Sequence, residues 1–264
     1  LSTKICLNYL DDDQLSPGPN DLLTAVQNAW APLKLNLTND FLVGGYFLHD
    51  INSKLSILSL NSMYFYPKNV QSPDCSVPNS PGEIQFKWVE NELENAKHDN
   101  RKVYIIQHVP PINVTDNTAF LVSNSSSGYK LIGLGDPKTL QSPDDYKNIV
   151  MPLYNAPSIV PAINPAFREY SYSTSDETFG KLQSWVQYYC DLQKANQEGK
   201  ITWEIEYTTE SAYNMKGLDA NDWLEVLTNF SLPDSNTWKL YKYFIFASTN
   251  VSGSYYEFLN KLNH

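Results

Sequence analysis

The order of two apolar runs and one helical pattern most constrains the fold of this chain. The runs at residues 54–60 and 102–107 are short and apolar, as buried strands are. Between them lies a predicted amphipathic helix with the inward stripe Ile84, Trp88, Leu93 and Ala96. Strand, helix and strand in this order are typical of a βαβ unit with parallel strands. Functional residues of such sheets usually lie past the carboxyl ends of the strands, which is where His108 falls.

The remaining pattern predicts a mixed chain. We predict further strands at residues 41–48, 129–132, 158–163, 167–172 and 203–207. We predict further helices at residues 21–31, 179–198 and 219–230, and in the tail from Trp238. A tight turn at residues 49–53 joins the strands at 41–48 and 54–60. The fold class is therefore α/β, with an α/β body over residues 1–177 and a mainly helical region over residues 178–264 packed on it.

Length and charge limit the classes of partner. With 264 residues, 42% of them hydrophobic, the chain can bury one or two cores. Acidic residues outnumber basic ones by 29 to 19, and the net charge of −10 argues against nucleic acid or an anionic membrane as the main partner. No apolar stretch reaches the roughly 20 residues that span a bilayer. We therefore expect a soluble protein without a transmembrane segment.

Five sequons indicate a glycoprotein of the secretory route. The Asn-x-Ser/Thr pattern occurs at Asn36, Asn113, Asn124, Asn229 and Asn250. Chance in a chain rich in Asn, Ser and Thr is the alternative explanation. The chain begins at Leu1 without an initiator methionine, so we expect a processed mature chain or a fragment of a longer one. The predicted location is a vacuole, a lysosome-like lumen or the outside of the cell.

Three cysteines limit the disulfides. Cys6, Cys75 and Cys190 allow at most one internal disulfide in an oxidising compartment and leave one thiol over. Cys75 lies in a loop rich in Pro, Ser and Asn, where a disulfide is easily placed, whereas Cys190 fits a buried small hydrophobic residue. An unpaired thiol could cross-link two chains, which makes self-association a candidate property. The spacing of Cys and His excludes a structural zinc site.

Many segments, taken in order along the chain, resemble one family. They are Pro-Gly-Pro-Asn at 17–20, Ala-Trp at 29–30, Gly-Gly-Tyr at 44–46, Leu-Ser-Leu-Asn at 58–61, Tyr-Phe-Tyr at 64–66, Lys-Val-Tyr-Ile-Ile-Gln-His-Val-Pro-Pro at 102–111, Asn-Pro-Ala-Phe-Arg at 164–168, Tyr-Tyr-Cys-Asp-Leu-Gln-Lys-Ala-Asn at 188–196 and Glu-Ile-Glu-Tyr at 204–207. They resemble the acid sphingomyelinase-like and endopolyphosphatase branch of the calcineurin-like metallophosphoesterases. The loop at 74–82 and the tail at 244–248 are most similar to the fungal vacuolar endopolyphosphatases.

This resemblance implies a fold and a chemistry. The fold is a β-sandwich flanked by helices, and the activity is hydrolysis of a phosphate ester by two divalent metal ions, Zn, Mn or Fe. The family takes its ligands from an Asp-x-His motif, a Gly-Asp motif, a Gly-Asn-Asn-Asp or Gly-Asn-His motif, a His before Pro-Pro and a late Gly-His-x-His motif. A bridging carboxylate sets the metal spacing, and neutral imidazoles fill the remaining positions.

Few of these ligands have a counterpart in this sequence. The first two motifs have none, because the resemblance begins after them. The third falls at Asn8, which lacks the Gly and the acidic or His partner. The fourth keeps His108, with Gln107 in place of Gly, and in the fifth Asp136 stands in place of a His. His108, Asn8 and Asp136 are thus the residual catalytic candidates, and His108 is the weak metal candidate, because one His and one Asn cannot hold a pair of metal ions.

Each candidate also has a purely structural explanation. His108 is either a metal or phosphate ligand or a hydrogen-bonded residue at the end of a buried strand. The acidic run at residues 11–13 either binds a cation or is a solvated loop. Asp136 either replaces a ligand or belongs to a Gly-Asp-Pro turn. Arg168 either contacts phosphate or is an ion-pair partner within a strand.

Taken together, the sequence leads us to expect a catalytically degenerate family member. We expect no cofactor and a non-enzymatic lumenal role such as self-assembly, storage or binding. The alternative is an active metal-dependent phosphodiesterase or endopolyphosphatase with two divalent metal ions. It requires that a cleaved N-terminal fragment of the precursor stays attached and supplies the missing carboxylates.

Overall fold

The computed structural model describes residues 21–66, 69, 72–109, 118–124, 128–133, 149–160, 164–230 and 232–245. The chain divides into two compact units, Leu1–Pro111 and Ile112–His264. Both units contain helices and strands, so the predicted α/β class is confirmed. Among the described residues, no helix has the length and apolar composition needed to cross a membrane.

The first unit is built around a three-stranded sheet. Its helices are α1 (Asp21–Trp30), α2 (Asn39–Gly44) and α3 (Pro81–His98), with short 3-10 helices at Ala31–Leu33 and Ser62–Phe65. Its strands are β1 (Phe47–Asn52), β2 (Leu55–Leu60) and β3 (Lys102–Gln107). Strand β2 lies in the centre, antiparallel to β1 and parallel to β3. The predicted βαβ unit is therefore confirmed.

The start of α3 follows from its sequence. Ser80 is the N-cap residue, and its hydroxyl accepts the Glu83 N–H at 3.2 Å. Pro81 occupies the first helical position, where no N–H is needed. The Glu83 carboxylate also accepts the Asn79 N–H at 2.8 Å, which secures the chain before the helix.

The inward stripe of α3 differs from the prediction at one residue. Ile84 and Trp88 are partly buried and Ala96 is buried, but Leu93 is exposed. Leu93 follows Ile84 by nine positions, and at about 100° per residue this spacing places them on opposite sides of the helix. Gln85 lies on the buried side instead and is fully buried.

The predicted strand at residues 41–48 is wrong over residues 41–46. The chain forms α2 first and β1 begins only at Phe47. Gly45 ends α2 with φ 71°, in the left-handed region, and its N–H donates to the Phe41 carbonyl at 2.8 Å. The predicted turn at 49–53 is also shorter than expected, because β1 continues to Asn52, whose side chain accepts the Lys54 N–H at 2.9 Å.

The second unit contains two antiparallel sheets. The first consists of β4 (Thr118–Asn124), β5 (Gly128–Gly133) and β6 (Ile149–Tyr154) in the order β5-β4-β6. The second consists of β7 (Ala166–Tyr172), β8 (Leu182–Tyr189) and β9 (Glu204–Thr208) in the order β7-β8-β9. The helices are α4 (Leu192–Glu198), α5 (Thr209–Tyr213), α6 (Ala220–Phe230) and α7 (Asn236–Ile245). Apart from the two segments treated next, the strands and helices predicted for this unit are confirmed where the structure describes them. The predicted helical tail from Trp238 is confirmed as far as Ile245, and residues 246–264 lie outside the described part.

The predicted helix at residues 179–198 is wrong over most of its length. Residues 182–189 form β8, and only α4 is helical, ending at Gly199 as expected. Trp185 and Gln187 are buried and the residues between and beside them are less so, which is the alternation of a strand. Four of the eight residues of β8 are aromatic or β-branched, and such residues favour a strand. Strands β7 and β8 pair across the predicted domain boundary at residue 177, which therefore falls inside a hairpin.

The predicted strand at residues 158–163 is wrong where the structure describes it, because residues 158–160 have no strand conformation. Residues 161–163 lie outside the described part.

An aromatic core holds the second unit together. Trp185 of β8 and Trp223 of α6 stack with their ring centroids 5.8 Å apart, and both are buried. Tyr154 of β6 meets Trp185 edge-on at 5.7 Å, and its hydroxyl donates to the Leu218 carbonyl. Aromatic contacts of this kind add to the free energy gained by burying the rings. The two sheets of this unit and α6 thus share one core.

Candidate functional site

The carboxyl ends of the parallel strands β2 and β3 form the candidate site. His108 follows β3 directly and is exposed. The Val109 N–H donates to the Ser62 hydroxyl at 2.7 Å, and the Gln107 side-chain amide donates to the Val109 carbonyl at 2.8 Å. These bonds fix the chain on both sides of His108. They also join the end of β3 to the 3-10 helix that follows β2.

A buried amide holds the end of β2. The Gln85 side chain accepts the Asn61 N–H at 2.8 Å and donates to the Asn61 carbonyl at 3.1 Å. The Asn61 side-chain amide and the Tyr64 hydroxyl both donate to the Gly44 carbonyl, at 3.0 Å and 3.1 Å. These groups are neutral amides and hydroxyls that satisfy one another. None of them carries the negative charge that a bridging metal ligand needs.

Charged side chains of this sheet gather at its other end. Asp50 lies opposite Ser56 near the start of β2, and its carboxylate accepts the Ser56 hydroxyl at 2.6 Å. Arg101 directly precedes β3 and donates to Asp50 at 3.0 Å and to the Ser56 hydroxyl at 2.6 Å. Arg101 also forms an ion pair with Asp99 at 3.4 Å. Because β3 rises about 3.3 Å per residue, this charged cluster lies roughly 20 Å from the candidate site.

The other described histidines do not join His108. His49 lies in the middle of β1, opposite Ile57, and its ring nitrogen accepts the Asn36 N–H at 3.3 Å. His98 ends α3 at the charged end of the sheet, where its ring lies 3.0 Å from the Asp99 carboxylate. Of the four histidines, His264 lies outside the described residues. The sheet therefore brings one described histidine to the strand ends.

Within the described ranges, no three His, Cys, Asp or Glu side chains are grouped so that they could hold a metal ion. Asn8, Asp136 and the acidic run at residues 11–13 lie outside those ranges, so their predicted roles stay predictions.

Arg168 occupies a second polar site, inside the second unit. Its guanidinium lies over the Trp185 ring, 4.3 Å from the centroid. It donates to the Gln187 side-chain oxygen at 2.7 Å, the Asn155 carbonyl at 3.0 Å and the Tyr207 hydroxyl at 3.2 Å. Burial raises the pKa of Tyr207, and the neighbouring Arg168 cation opposes that shift. The structure thus gives Arg168 a role in joining β7, β8 and β9.

Gln187 connects this cation to an anion. Its side-chain oxygen accepts from Arg168 and from the Tyr207 hydroxyl, the latter at 3.2 Å. Its amide nitrogen donates to the Glu206 carboxylate at 2.7 Å and to the Phe244 carbonyl at 3.3 Å. A fully buried side chain therefore bridges opposite charges and ties α7 to the sheet.

The sequons fall in different surroundings. Asn36 is exposed in the loop before α2, whereas Asn229 is partly buried in the last turn of α6. Asn124 ends β4. Asn113 and Asn250 lie outside the described residues. Modification at all five sites stays a prediction.

The two described cysteines, Cys75 and Cys190, are free thiols. Cys190 is buried, as predicted, although it follows a strand and not a helix. Cys75 is partly buried, and Cys6 lies outside the described residues.

The sequence patterns did not predict Gln85 and Gln187, which are the two fully buried amide side chains among the described residues. The signal for Gln187 is present in the sequence, because strand alternation from Trp185 places it on the inward face. Gln85 occupies the inward face of α3, as helical spacing to Ala96 indicates.

Comparison with known proteins finds similarity to proteins of the kind that the sequence motifs resemble. Residues 146–253 match the family described as acid sphingomyelin phosphodiesterase C-terminal region. The human cyclic GMP-AMP phosphodiesterase SMPDL3A is 26% identical over 272 residues, which cover 93% of this chain and 58% of that protein. Sphingomyelinase phosphodiesterase C of Dictyostelium discoideum is 26% identical over 271 residues, covering 90% of this chain and 58% of that protein. The endopolyphosphatase of Neurospora crassa is 31% identical over 126 residues, covering 47% of this chain and 17% of that protein.

The chain spans a little under three fifths of the length of the human and Dictyostelium relatives. The description of the matched family and the names of these relatives nevertheless agree with the resemblance that the sequence motifs indicate. Most of the chain is therefore similar to proteins named as acid sphingomyelinase-like phosphodiesterases, and residues 146–253 match the C-terminal region described for acid sphingomyelin phosphodiesterase.

Proposed function

We propose that this chain is a catalytically degenerate relative of the metallophosphoesterases and acts in the secretory lumen or outside the cell without hydrolysing phosphate esters. Its role is then binding, self-assembly or storage. This proposal is argued from the residues of this chain. The relatives are longer proteins, and the activities in their names belong to those longer proteins.

One observation carries the proposal. The strand ends that hold His108 are lined by the neutral groups of Asn61, Ser62 and Gln85, while the carboxylates of Asp50 and Asp99 pair with Arg101 at the other end of the sheet. A di-metal centre needs a bridging carboxylate and several neutral imidazoles at one place. The full sequence contains four histidines, which further limits the supply of imidazole ligands.

Hydrolysis assays test this proposal directly. We would assay the purified chain with bis(p-nitrophenyl) phosphate, cyclic GMP-AMP and polyphosphate, each with added Zn²⁺ or Mn²⁺. The matched control is His108→Ala, which removes the one family ligand kept at the strand ends. We expect both proteins to show the same background rate. Metal-dependent hydrolysis that His108→Ala abolishes would overturn the proposal, because a contaminating enzyme would not respond to that substitution.

A second candidate function is supported by the length of the relatives. The human relative extends well beyond the part that this chain matches, so an additional segment could supply carboxylates to the site. If this candidate function is correct, the precursor contains an Asp-x-His motif upstream of Leu1. The precursor, expressed as one protein, then hydrolyses the same substrates. An ordinary signal peptide directly before Leu1 would exclude this candidate.

Glycosylation of the sequons has its own test. Expression of the chain behind a secretory leader in a eukaryotic host, followed by peptide mass spectrometry, measures glycan occupancy at each sequon. We expect a glycan at the exposed Asn36. Asn36→Gln should remove that mass and leave the other peptides unchanged. An unmodified Asn36 in the secreted wild-type chain would count against a glycosylated lumenal protein.

A further inference from the structure

The loop between β7 and β8 carries a cluster of three hydroxyl groups. The Thr178 hydroxyl lies 2.6 Å from the Ser173 hydroxyl and 2.7 Å from the Ser175 hydroxyl, and the two serine hydroxyls lie 3.1 Å apart. Ser173 is buried, whereas residues 174–178 are all exposed. The base of the loop is closed, because the Ser173 N–H donates to the Lys181 carbonyl at 2.8 Å. Ser175 is therefore an accessible serine in a loop of defined conformation.

Two acidic residues directly follow this serine. They are Asp176 and Glu177, and both are exposed. The pattern Ser-x-Glu occurs once in the whole sequence, at residues 175–177. Protein kinases that prefer acidic substrates bind substrate carboxylates through basic side chains of their own, and charge-assisted hydrogen bonds of this kind are strong. The loop thus presents a phosphate acceptor next to a charge that such a kinase recognises.

We propose that Ser175 is a phosphorylation site for a kinase that uses ATP and recognises the Glu177 carboxylate, two positions after the acceptor. The Ser175 Oγ forms a bond to the γ-phosphorus of ATP, and the bond between this phosphorus and the leaving ADP oxygen breaks. The hydroxyl proton passes to a base of the kinase. The site lies outside the strand ends that hold His108, so it is independent of any hydrolytic activity.

The hydroxyl cluster favours Ser175 over its neighbours as the product site. A phosphoserine carries about −1.5 to −2 charges and three strong acceptor oxygens. The hydroxyls of Ser173 and Thr178, which already lie within hydrogen-bond distance of the Ser175 hydroxyl, can donate to those oxygens. Thr174 is also exposed, but its side chain is not hydrogen-bonded to this cluster. Burial of Ser173 removes that hydroxyl as an acceptor.

Phosphopeptide mapping of the secreted chain tests the site. Trypsin cleaves after Arg168 and Lys181, so residues 169–181 form one peptide. We would express the chain behind a secretory leader in a eukaryotic host and localise phosphate within this peptide by tandem mass spectrometry. We expect phosphate on Ser175 in the wild type and none in the peptide of Ser175→Ala. Phosphate on Thr174 or Thr178 in place of Ser175 would overturn the assignment.

Matched charge variants test the recognition of Glu177. Glu177→Gln and Asp176→Asn each remove one carboxylate from neighbouring exposed positions. Loss of the recognised charge should lower the occupancy of Ser175 at least about tenfold in Glu177→Gln, whereas Asp176→Asn should lower it less than about twofold. Equal effects of the two substitutions, or unchanged occupancy in Glu177→Gln, would refute recognition at the second position.

The same sample separates this proposal from the lumenal location on which it rests. Glycan occupancy at Asn36 is read from the same digest. A secreted wild-type chain without phosphate on Ser175 would overturn the phosphorylation site, and a glycan on Asn36 in that sample would leave the lumenal location standing.

Discussion

The bridge at Gln187 allows one prediction to be worked out in detail. Gln187→Leu keeps the approximate volume of the side chain but removes its bonds to Arg168 and Glu206, both 2.7 Å long. Hydrogen bonds to charged groups contribute about 1.5–3 kcal/mol each. Arg168 keeps its bonds to the Asn155 carbonyl and the Tyr207 hydroxyl, and Glu206 is partly exposed, so we use the lower value for each. The expected loss of unfolding free energy is then about 3 kcal/mol.

Thermal unfolding followed by circular dichroism measures this loss. For a unit of this size, about 3 kcal/mol corresponds to a fall in Tm of roughly 10 °C. The control is Gln183→Leu, the same substitution on an exposed residue of the same strand, which should change stability by less than about 0.5 kcal/mol. If Gln187→Leu unfolds within about 1 kcal/mol of the wild type, or if both variants lose the same stability, the bridge does not hold the sheet as argued.

Three further predictions concern the first unit. His108→Ala should change the unfolding free energy by less than about 0.5 kcal/mol, since its side chain is exposed; a urea titration checks this, and a large loss would show that His108 is structural. Gln85→Leu should lower the unfolding free energy by about 2–4 kcal/mol in the same titration, because the Asn61 N–H and carbonyl lose their partner. The control is Asn91→Ala, at an exposed residue of the same helix, which should leave the unfolding free energy unchanged. Equal effects of the two substitutions would show that the Gln85 bonds do not stabilise the unit. Burial, and then the Asp40 carboxylate, raise the pKa of Glu92 in the folded chain. Ionised Glu92 therefore destabilises the folded chain above this pKa. The destabilisation disappears as the pH falls below the pKa that Glu92 has in the unfolded chain. Glu92→Gln should therefore stabilise the chain at about pH 7 and lose that advantage near pH 4; an advantage that grows towards acid would reverse the sign of this reasoning.

The architecture of the first unit was largely predictable because its signals are local. Helix α3 carries its own cap at Ser80, and the two flanking runs read as strands from composition alone. The same local reasoning failed at residues 41–48, where an apolar run preceded Gly45 and could be read as a strand or as a helix. Short apolar runs leave this ambiguity, and here the left-handed backbone of Gly45 marks the helix end.

In the second unit, helical spacing misled the prediction for β8. Phe179, Leu182, Val186 and Tyr189 fit a helical stripe, but Trp185 and Gln187 lie between them and face the core. Pairing with β7 and β9 decides the conformation there, and such pairing depends on residues distant in sequence.

The candidate site was predictable in position but not in chemistry. His108 could be placed past the end of β3 from the strand order. The hydrogen bonds between Asn61 and the Gln85 side chain could not be predicted, because the two residues are 24 positions apart in the sequence. Predicting them also requires knowing which face of α3 is buried. A polar residue on the apolar face of a predicted helix therefore indicates a buried, hydrogen-bonded side chain.

Elemental analysis of the purified native protein is the most direct test of the central claim. After dialysis without chelator, zinc, manganese and iron would be measured per chain. The account predicts essentially none, because the described strand ends present neutral amides and hydroxyls beside one histidine. About two metal ions per chain would contradict it and restore the hydrolase interpretation.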